Sequence, residues 1–197
     1  MRKLLLVSLL LFGTLAWAGS AQAFDGKREG FVLGGGLGLG LTSFTQSLDD
    51  GVVEIEGDRE NKFAIKTDFR IGWAIDSLWE VYYSSKVSWF SLENVFGDDV
   101  TIASGLSSIS VRRYFGPTGA SFFVNGGIGL AAWSAPFEDN SDSWTGLGIM
   151  AGAGYEFARH WAFEVDMNWG APQEEAGGIT AKTKAISVRG QIVATAF

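Results

Sequence analysis

The sequence predicts an all-β protein, an eight-stranded antiparallel up-and-down transmembrane β-barrel. The first observation is a period of two: between residues 63 and 75 every odd position except Thr67 is large and apolar, and every even one is charged or small. Because alternate side chains of a strand point to opposite faces, this segment has one apolar and one polar face. The other observations are an alternation of short and long connections and an export signal at the amino terminus.

The first four candidate strands cover residues 31–41, 63–75, 79–89 and 100–115. In the first, Phe or Leu alternates with Val or Gly, and in the third Trp, Val or Tyr alternates mainly with charged residues and serines. The fourth changes phase, because Ile102 and Leu106 occupy one parity and Ile109 and Val111 the other. We therefore predict a β-bulge near Ser107-Ser108.

The last four candidate strands cover residues 120–133, 144–157, 161–169 and about 179–197. The fifth and sixth alternate apolar residues mainly with glycine, and the last two alternate them with charged or polar residues. The connections 76–77, 116–119 and 158–160 are short, whereas 42–61, 91–99, 134–143 and 170–178 are long. Short turns on one rim and long loops on the other are typical of outer-membrane barrels.

Residues 1–23 are predicted to form a secretory signal peptide, and residues 24–197 a single outer-membrane β-barrel domain. Arg2 and Lys3 precede an apolar run over 4–18, and Ala21-Gln22-Ala23 forms a small-x-small cleavage site. The alternative is a retained inner-membrane anchor, but the apolar run is shorter than the roughly 20 residues of a spanning helix.

Composition excludes several classes of function. The chain contains no cysteine, which excludes a disulfide scaffold, a thiol nucleophile and cysteine zinc sites. Without Arg2 and Lys3, 13 basic residues remain against 22 acidic ones, so we expect no nucleic-acid partner. The four long loops hold 14 acidic residues and one basic residue, Arg59. Such loops keep a surface soluble, and they are also candidate contacts for divalent cations.

The apolar face is predicted to lie outside. A soluble barrel such as a lipocalin would bury this face, but an eight-stranded barrel has an interior just wide enough for side chains. The apolar face carries too many Trp and Phe residues for that space. The polar face then lines the lumen, where ionisable groups must pair; Asp68 is expected opposite Lys86 across the 76–77 turn. The predicted polar lumen network comprises Lys66, Asp68, Arg70, Glu80, Lys86, Glu156, Glu164, Asp166 and Arg189.

These features give the chain a resemblance to the small eight-stranded outer-membrane barrels of the OmpA-like and OmpX-like group. The resemblance covers the signal peptide, the glycine-rich first strand GFVLGGGLGLGL, four hairpins and the terminal Phe197. It implies that Phe197 is part of the signal read by the barrel-insertion machinery. Val193 and Thr195 share the parity of Phe197 whereas Ile192 does not, which leaves the register of the last strand open.

The residues that could carry chemistry are few. The only histidine, His160, falls in a predicted periplasmic turn, and Asp139, Asn140, Asp142 and Ser143 lack the spacing of an EF-hand calcium loop. Gly146 to Ala151 matches a loose dinucleotide motif, but no helical pattern follows. We therefore expect no catalytic residue, no cofactor and no metal site, and we do not expect an enzyme.

The sequence thus predicts an integral protein of the cell outer membrane, non-enzymatic, with a structural or surface-interaction role through acidic extracellular loops. Its expected partners are outer-membrane lipid and lipopolysaccharide, and the insertion machinery during biogenesis. The alternative is a narrow porin-like channel for small solutes or apolar molecules. A soluble periplasmic ligand-binding barrel is a third reading.

Overall fold

The structure, a computed structural model, describes residues 28–93, 97–138 and 143–197. The predicted signal peptide and three of the residues considered for calcium, Asp139, Asn140 and Asp142, lie outside these ranges. Within them, no helix is long and apolar enough to cross a membrane. The strands are β1 Gly30–Asp49, β2 Glu54–Glu56, β3 Glu60–Ala74, β4 Trp79–Glu93, β5 Asp99–Tyr114, β6 Ser121–Ser134, β7 Trp144–Ala158, β8 Trp161–Gly170, β9 Gln173–Ala176 and β10 Ile179–Ala196.

Eight of these described strands close into a ring. Each pairs antiparallel with its neighbours in the order β1-β3-β4-β5-β6-β7-β8-β10, and β10 pairs back onto β1 from Leu33↔Ala196 to Asp49↔Thr180. Closure leaves the ring without an edge strand, which is the condition for a sheet to span lipid. The predicted fold class is confirmed.

The extracellular end of β1 runs further than the sequence analysis predicted. Residues 42–49 continue β1 instead of joining a loop, and they stay paired with β10 throughout. The short strands β2 and β9 lie within predicted loops. β2 pairs with residues 47–49 of this extension, and β9 pairs with residues 179–182 of β10. Polar residues on both faces here, such as Thr42, Ser43 and Gln46, interrupt the apolar alternation. The pattern therefore does not reveal a hydrogen-bonded strand beyond the membrane.

The predicted bulge at Ser107-Ser108 is wrong. β5 pairs with β4 in one unbroken register from Trp79↔Arg113 to Glu93↔Asp99. The change of phase arises because Ile102 and Leu106 face the lumen, where they are 7% and 3% exposed. An irregularity in register lies elsewhere, between Glu156 and Ala158 of β7.

The short turns gather on one rim and are held by local hydrogen bonds. The carboxylate of Asp76 accepts from the amides of Leu78 and Trp79 at 2.7 and 2.9 Å, an Asx-type turn. His160 has φ +72°, and its Nδ1 lies 2.9 Å from the carbonyl of Thr195. A left-handed residue with a backbone partner is typical of a structural turn.

The outer face is apolar on every strand of the ring. On β3, Phe63, Ile65, Phe69 and Trp73 are 48–63% exposed, which excludes the soluble barrel with a buried apolar face. Trp79 and Trp89 lie ten residues apart on β4; at a rise of about 3.3 Å per residue and a tilt of about 40°, they mark a band about 25 Å tall. This height matches the hydrocarbon layer that such barrels cross.

Candidate functional site: the ionic core of the lumen

The centre of the lumen is organised around Glu164 of β8, which is fully buried. Its two oxygens accept hydrogen bonds from Arg70 at 3.1 and 3.2 Å, from Lys86 at 3.0 Å and from Arg112 at 2.8 Å. These donors stand on β3, β4 and β5, across the barrel from β8. One carboxylate therefore joins four strands through charge-assisted hydrogen bonds.

Two aspartates flank Glu164 and share its cations. Lys86 Nζ lies 2.8 Å from Asp68 and 3.1 Å from Asp166, and the register sets Asp68 opposite Lys86, as the short turn predicts. Arg70 also pairs with Asp68, and Arg189 pairs with Asp166. Gln191 donates to all three carboxylates from its Nε2 atom. Alternating charges at these distances offset the cost of removing each ion from water.

A second layer lies toward the periplasmic rim. Glu80 accepts from Arg112 at 3.3 Å and from the Tyr114 hydroxyl at 3.2 Å. At the mouth itself, Arg28 pairs with Glu156 at 3.2 Å and donates to the carbonyls of Ser77 and Pro117, both at 2.9 Å. Since those carbonyls belong to two different turns, the Arg28 side chain bridges two periplasmic turns by hydrogen bonds across the opening.

The extracellular end of the lumen is closed by apolar side chains, which we name the aromatic lid. It consists of Phe44, Phe90, Ile102 and Trp133, each 7% exposed or less. The ring centroids of Phe44 and Trp133 are 4.9 Å apart, and those of Phe90 and Trp133 are 5.6 Å apart. Beneath the lid, Lys66 Nζ donates to the hydroxyls of Thr42 and Ser88 at 2.8 and 2.6 Å.

All nine side chains of the predicted lumen network lie in the barrel interior, none more than 6% exposed. Eight of them belong to ion pairs, whereas Lys66 is bonded to hydroxyls. Glycines of β1 make room for the long ones, as expected: a Cβ on Gly34 would lie 2.9 Å from Cγ of Arg70.

Four members of the network were missed from the sequence: Arg28, Arg112, Tyr114 and Gln191. For Arg112 and Tyr114 a signal existed, because they continue the polar parity of Ser108 and Ser110. Arg28 precedes the first strand, and nothing in the local pattern marks it.

Phe197 lies inside the barrel at its periplasmic end. It is 1% exposed, packs with Val32 and Ala74, and its ring centroid is 4.8 Å from that of His160. β10 keeps a single register, so Val193 and Thr195 face inward with Phe197 while Ile192 faces outward. This resolves the register that the sequence left open.

The extracellular loops carry the second set of charged groups. Lys182 donates to Asp49 at 2.9 Å and the amide of Gly51 donates to the same carboxylate; both hydrogen bonds lower the pKa of Asp49. The amides of Val53 and Val52 likewise lower the pKa of Asp50. Among the described residues, no group of three or more His, Cys, Asp or Glu side chains is arranged to hold a metal ion.

No protein-family model and no curated protein matches the chain. Among solved structures, the outer membrane protein OprG of Pseudomonas aeruginosa is 8% identical with a TM-score of 0.47, over 86% of this chain and 98% of that one. Ail, the attachment invasion locus protein of Yersinia pestis, is 14% identical with a TM-score of 0.39, over 83% and 99%. The outer membrane protease OmpT of Escherichia coli is 8% identical with a TM-score of 0.41, over 89% and 99%.

The identities and TM-scores are low, so the location of this chain is inferred from its own geometry. A closed ring of strands, an apolar outer belt about as tall as a bilayer core, and a polar lumen filled with paired ions are found together in barrels that cross the outer membrane. The chain is an integral β-barrel protein of the outer membrane.

Proposed function

We propose that this protein is a closed, non-enzymatic barrel that acts through its structure and its acidic extracellular surface. The observation that carries the proposal is the filling of the lumen. Arg70, Lys86, Arg112 and Glu164 meet at the barrel centre with exposures of 1% or less. Because these charged side chains form ion pairs across the full width of the lumen, they obstruct the path of a solute.

Both ends of the lumen support the same proposal. The aromatic lid closes the extracellular end, and Arg28 with Glu156 closes the periplasmic end. Beside Ser187 and Asn168 there is a cavity of about 20 Å³, room for about one water molecule.

The surface role rests on the charge of the extracellular rim. Glu56, Asp58, Asp99 and Glu175 are all exposed, and few cations accompany them. We propose that divalent cations bridge these carboxylates to the phosphate groups of lipopolysaccharide, because hard cations prefer oxygen ligands of both kinds. Outer-membrane lipid against the apolar belt, and the insertion machinery acting on the Phe197 end, are the other proposed partners.

The setting of His160 supports a non-enzymatic role. Its ring packs on Phe197 and its Nδ1 faces a backbone carbonyl in a periplasmic turn. A general base needs a nucleophile within hydrogen-bond reach, whereas this imidazole is occupied in stabilising the turn and the chain end.

Single-channel recording in planar bilayers tests the closed lumen. We expect no steady open state from the unsubstituted protein. A steady conductance that changes with Glu164→Gln, but not with Glu175→Gln on the exposed strand β9, would show that ions pass the centre of the lumen. The narrow channel would then replace the closed barrel as the function.

Binding to lipopolysaccharide with and without Mg²⁺ tests the surface role. We expect Mg²⁺-dependent binding that weakens in the triple variant Glu56→Gln, Asp58→Asn, Glu175→Gln. Glu29→Gln, an exposed change on the opposite rim, is the control. Equal binding by both variants would refute a bridging role for the loops.

A further inference from the structure

Lys66 is a buried cation without a carboxylate partner. Its side chain is fully buried and its ammonium donates to two neutral hydroxyls, those of Thr42 and Ser88. No carboxylate among the described residues lies within an ion-pairing distance of 4.0 Å of this nitrogen. A buried charge that meets only neutral groups is costly, so Lys66 differs from every other cation at the barrel centre.

Arg189 adds a second set of unsatisfied donors nearby. Its Nε atom pairs with Asp166, but both terminal nitrogens are buried without a hydrogen-bond partner. Arg189 is the next inward residue of β10 after Ser187, which contacts the hydroxyls of Thr42 and Ser88 at 2.8 and 3.3 Å. Lys66 and Arg189 are neighbours, since a Cβ on Gly40 would lie 3.0 Å from Cε of Lys66 and 2.8 Å from Cα of Arg189. Of the two cations, only Arg189 is paired with the nearby carboxylate of Asp166.

The charges of the described lumen do not balance. Its buried ionisable side chains are six bases and five acids: Arg28, Lys66, Arg70, Lys86, Arg112 and Arg189 against Asp68, Glu80, Glu156, Glu164 and Asp166. Each of the five acids already pairs with a base other than Lys66. Among these side chains the excess is a single positive charge, and Lys66 is the base that has no acidic partner.

We propose that one small monovalent anion, of halide size, binds between Lys66 and Arg189. The anion neutralises the excess charge and accepts from the free terminal N–H groups of Arg189 and from the ammonium of Lys66. Charge-assisted bonds of this kind are the strongest hydrogen bonds available to a protein.

The hydroxyl groups complete the site. Ser88 donates to Ser187, and Thr42, which accepts from Lys66, is free to donate to Ser187 as well. The proton of Ser187 is then left for the anion. The nearby cavity of about 20 Å³ is lined by Ser187 but by neither Lys66 nor Arg189. The anion is therefore placed among the packed side chains themselves, where a monatomic ion fits better than sulfate or phosphate.

The first experiment uses bromide as the probe. Crystals of the unsubstituted protein grown in sodium bromide are expected to give an anomalous peak between Lys66 and Arg189. Urea unfolding in detergent micelles is expected to shift to higher midpoint as bromide replaces gluconate at constant ionic strength, and to saturate. Absence of the peak, or an identical response to gluconate, would overturn the proposal.

Substitutions test whether bromide binds between Lys66 and Arg189. Lys66→Met is expected to weaken bromide binding by roughly tenfold or more, the worth of a charged hydrogen bond; Lys184→Met, an exposed lysine of β10, is expected to leave it unchanged. Ser187→Ala, a milder change, is expected to weaken binding less and serves if Lys66→Met does not fold. A bromide response that survives both lumen substitutions, or that Lys184→Met removes equally, contradicts the assignment.

Discussion

At the scale of single residues, the lumen network makes one carboxylate more important than its neighbours. Glu164 accepts from Arg70, Lys86 and Arg112, whereas Glu80 accepts from one arginine and one tyrosine. Removing one partner of a buried ion pair leaves the other charge uncompensated, and this costs more than the pair contributes by being present.

Glu164→Gln is therefore expected to destabilise the barrel by about 3–5 kcal/mol. Glutamine keeps the size of the side chain, so the loss reports on charge and not on a cavity. Urea unfolding in lipid vesicles measures this loss. The control is Glu175→Gln on the exposed strand β9, whose stability is expected within about 0.5 kcal/mol of the parent. Similar stability of the two variants would mean that Glu164 is not the centre of the network.

The loop pair gives a prediction on protonation. The ammonium of Lys182 stabilises the charged form of Asp49, so NMR titration should find the pKa of Asp49 below 3.8. Lys182→Met should raise it, and Lys184→Met should not. Since the pKa is depressed by folding, the pair stabilises the extension of β1 at neutral pH, and this contribution is lost as the pH falls through the lowered value. A midpoint unaffected by Lys182→Met would show that the pair does not form in solution.

At the scale of strands, the alternation of apolar and polar residues predicts which face of the sheet a side chain occupies. It does not predict where the lumen itself becomes apolar. A period of two places Phe69 outside and Arg70 inside without any tertiary information. The period fails on β5, where Ile102 and Leu106 belong to the interior because the lumen changes from ionic to apolar toward the lid. Only the stacking of layers inside the closed barrel explains that change.

The lipid-facing side of β3 is tested by placing a charge at mid-span. Phe69 lies between Ile65, which pairs with Trp89, and Trp73 near the periplasmic rim. Phe69→Lys puts an ammonium into hydrocarbon and is expected to cost about 2–4 kcal/mol. Ile55→Lys, an exposed apolar residue of β2 beyond the membrane, is expected to cost little. Equal costs in reconstituted vesicles would contradict the assignment of the outer face.

At the scale of the whole molecule, the ring was predictable but the contacts across it were not. Arg70 and Glu164 are separated by 94 residues and meet only because the barrel is narrow enough for facing strands to touch. Neighbouring pairs such as Asp68 and Lys86 follow from a single turn, whereas cross-lumen pairs depend on strand number and stagger together. This is why the sequence identified the members of the network more readily than its connections.

The orientation of the barrel in the membrane is the remaining consequence of its shape. Long loops face outward and short turns face the periplasm in barrels of this kind, which places Arg59 and Arg159 on opposite sides although both are exposed. Because the chain has no cysteine, Arg59→Cys and Arg159→Cys each introduce a single thiol. A membrane-impermeant maleimide should label the cysteine at 59 on intact cells and the one at 159 only after the outer membrane is breached. Labelling at 159 on intact cells, with protection at 59, would invert the topology and move the acidic rim to the periplasm.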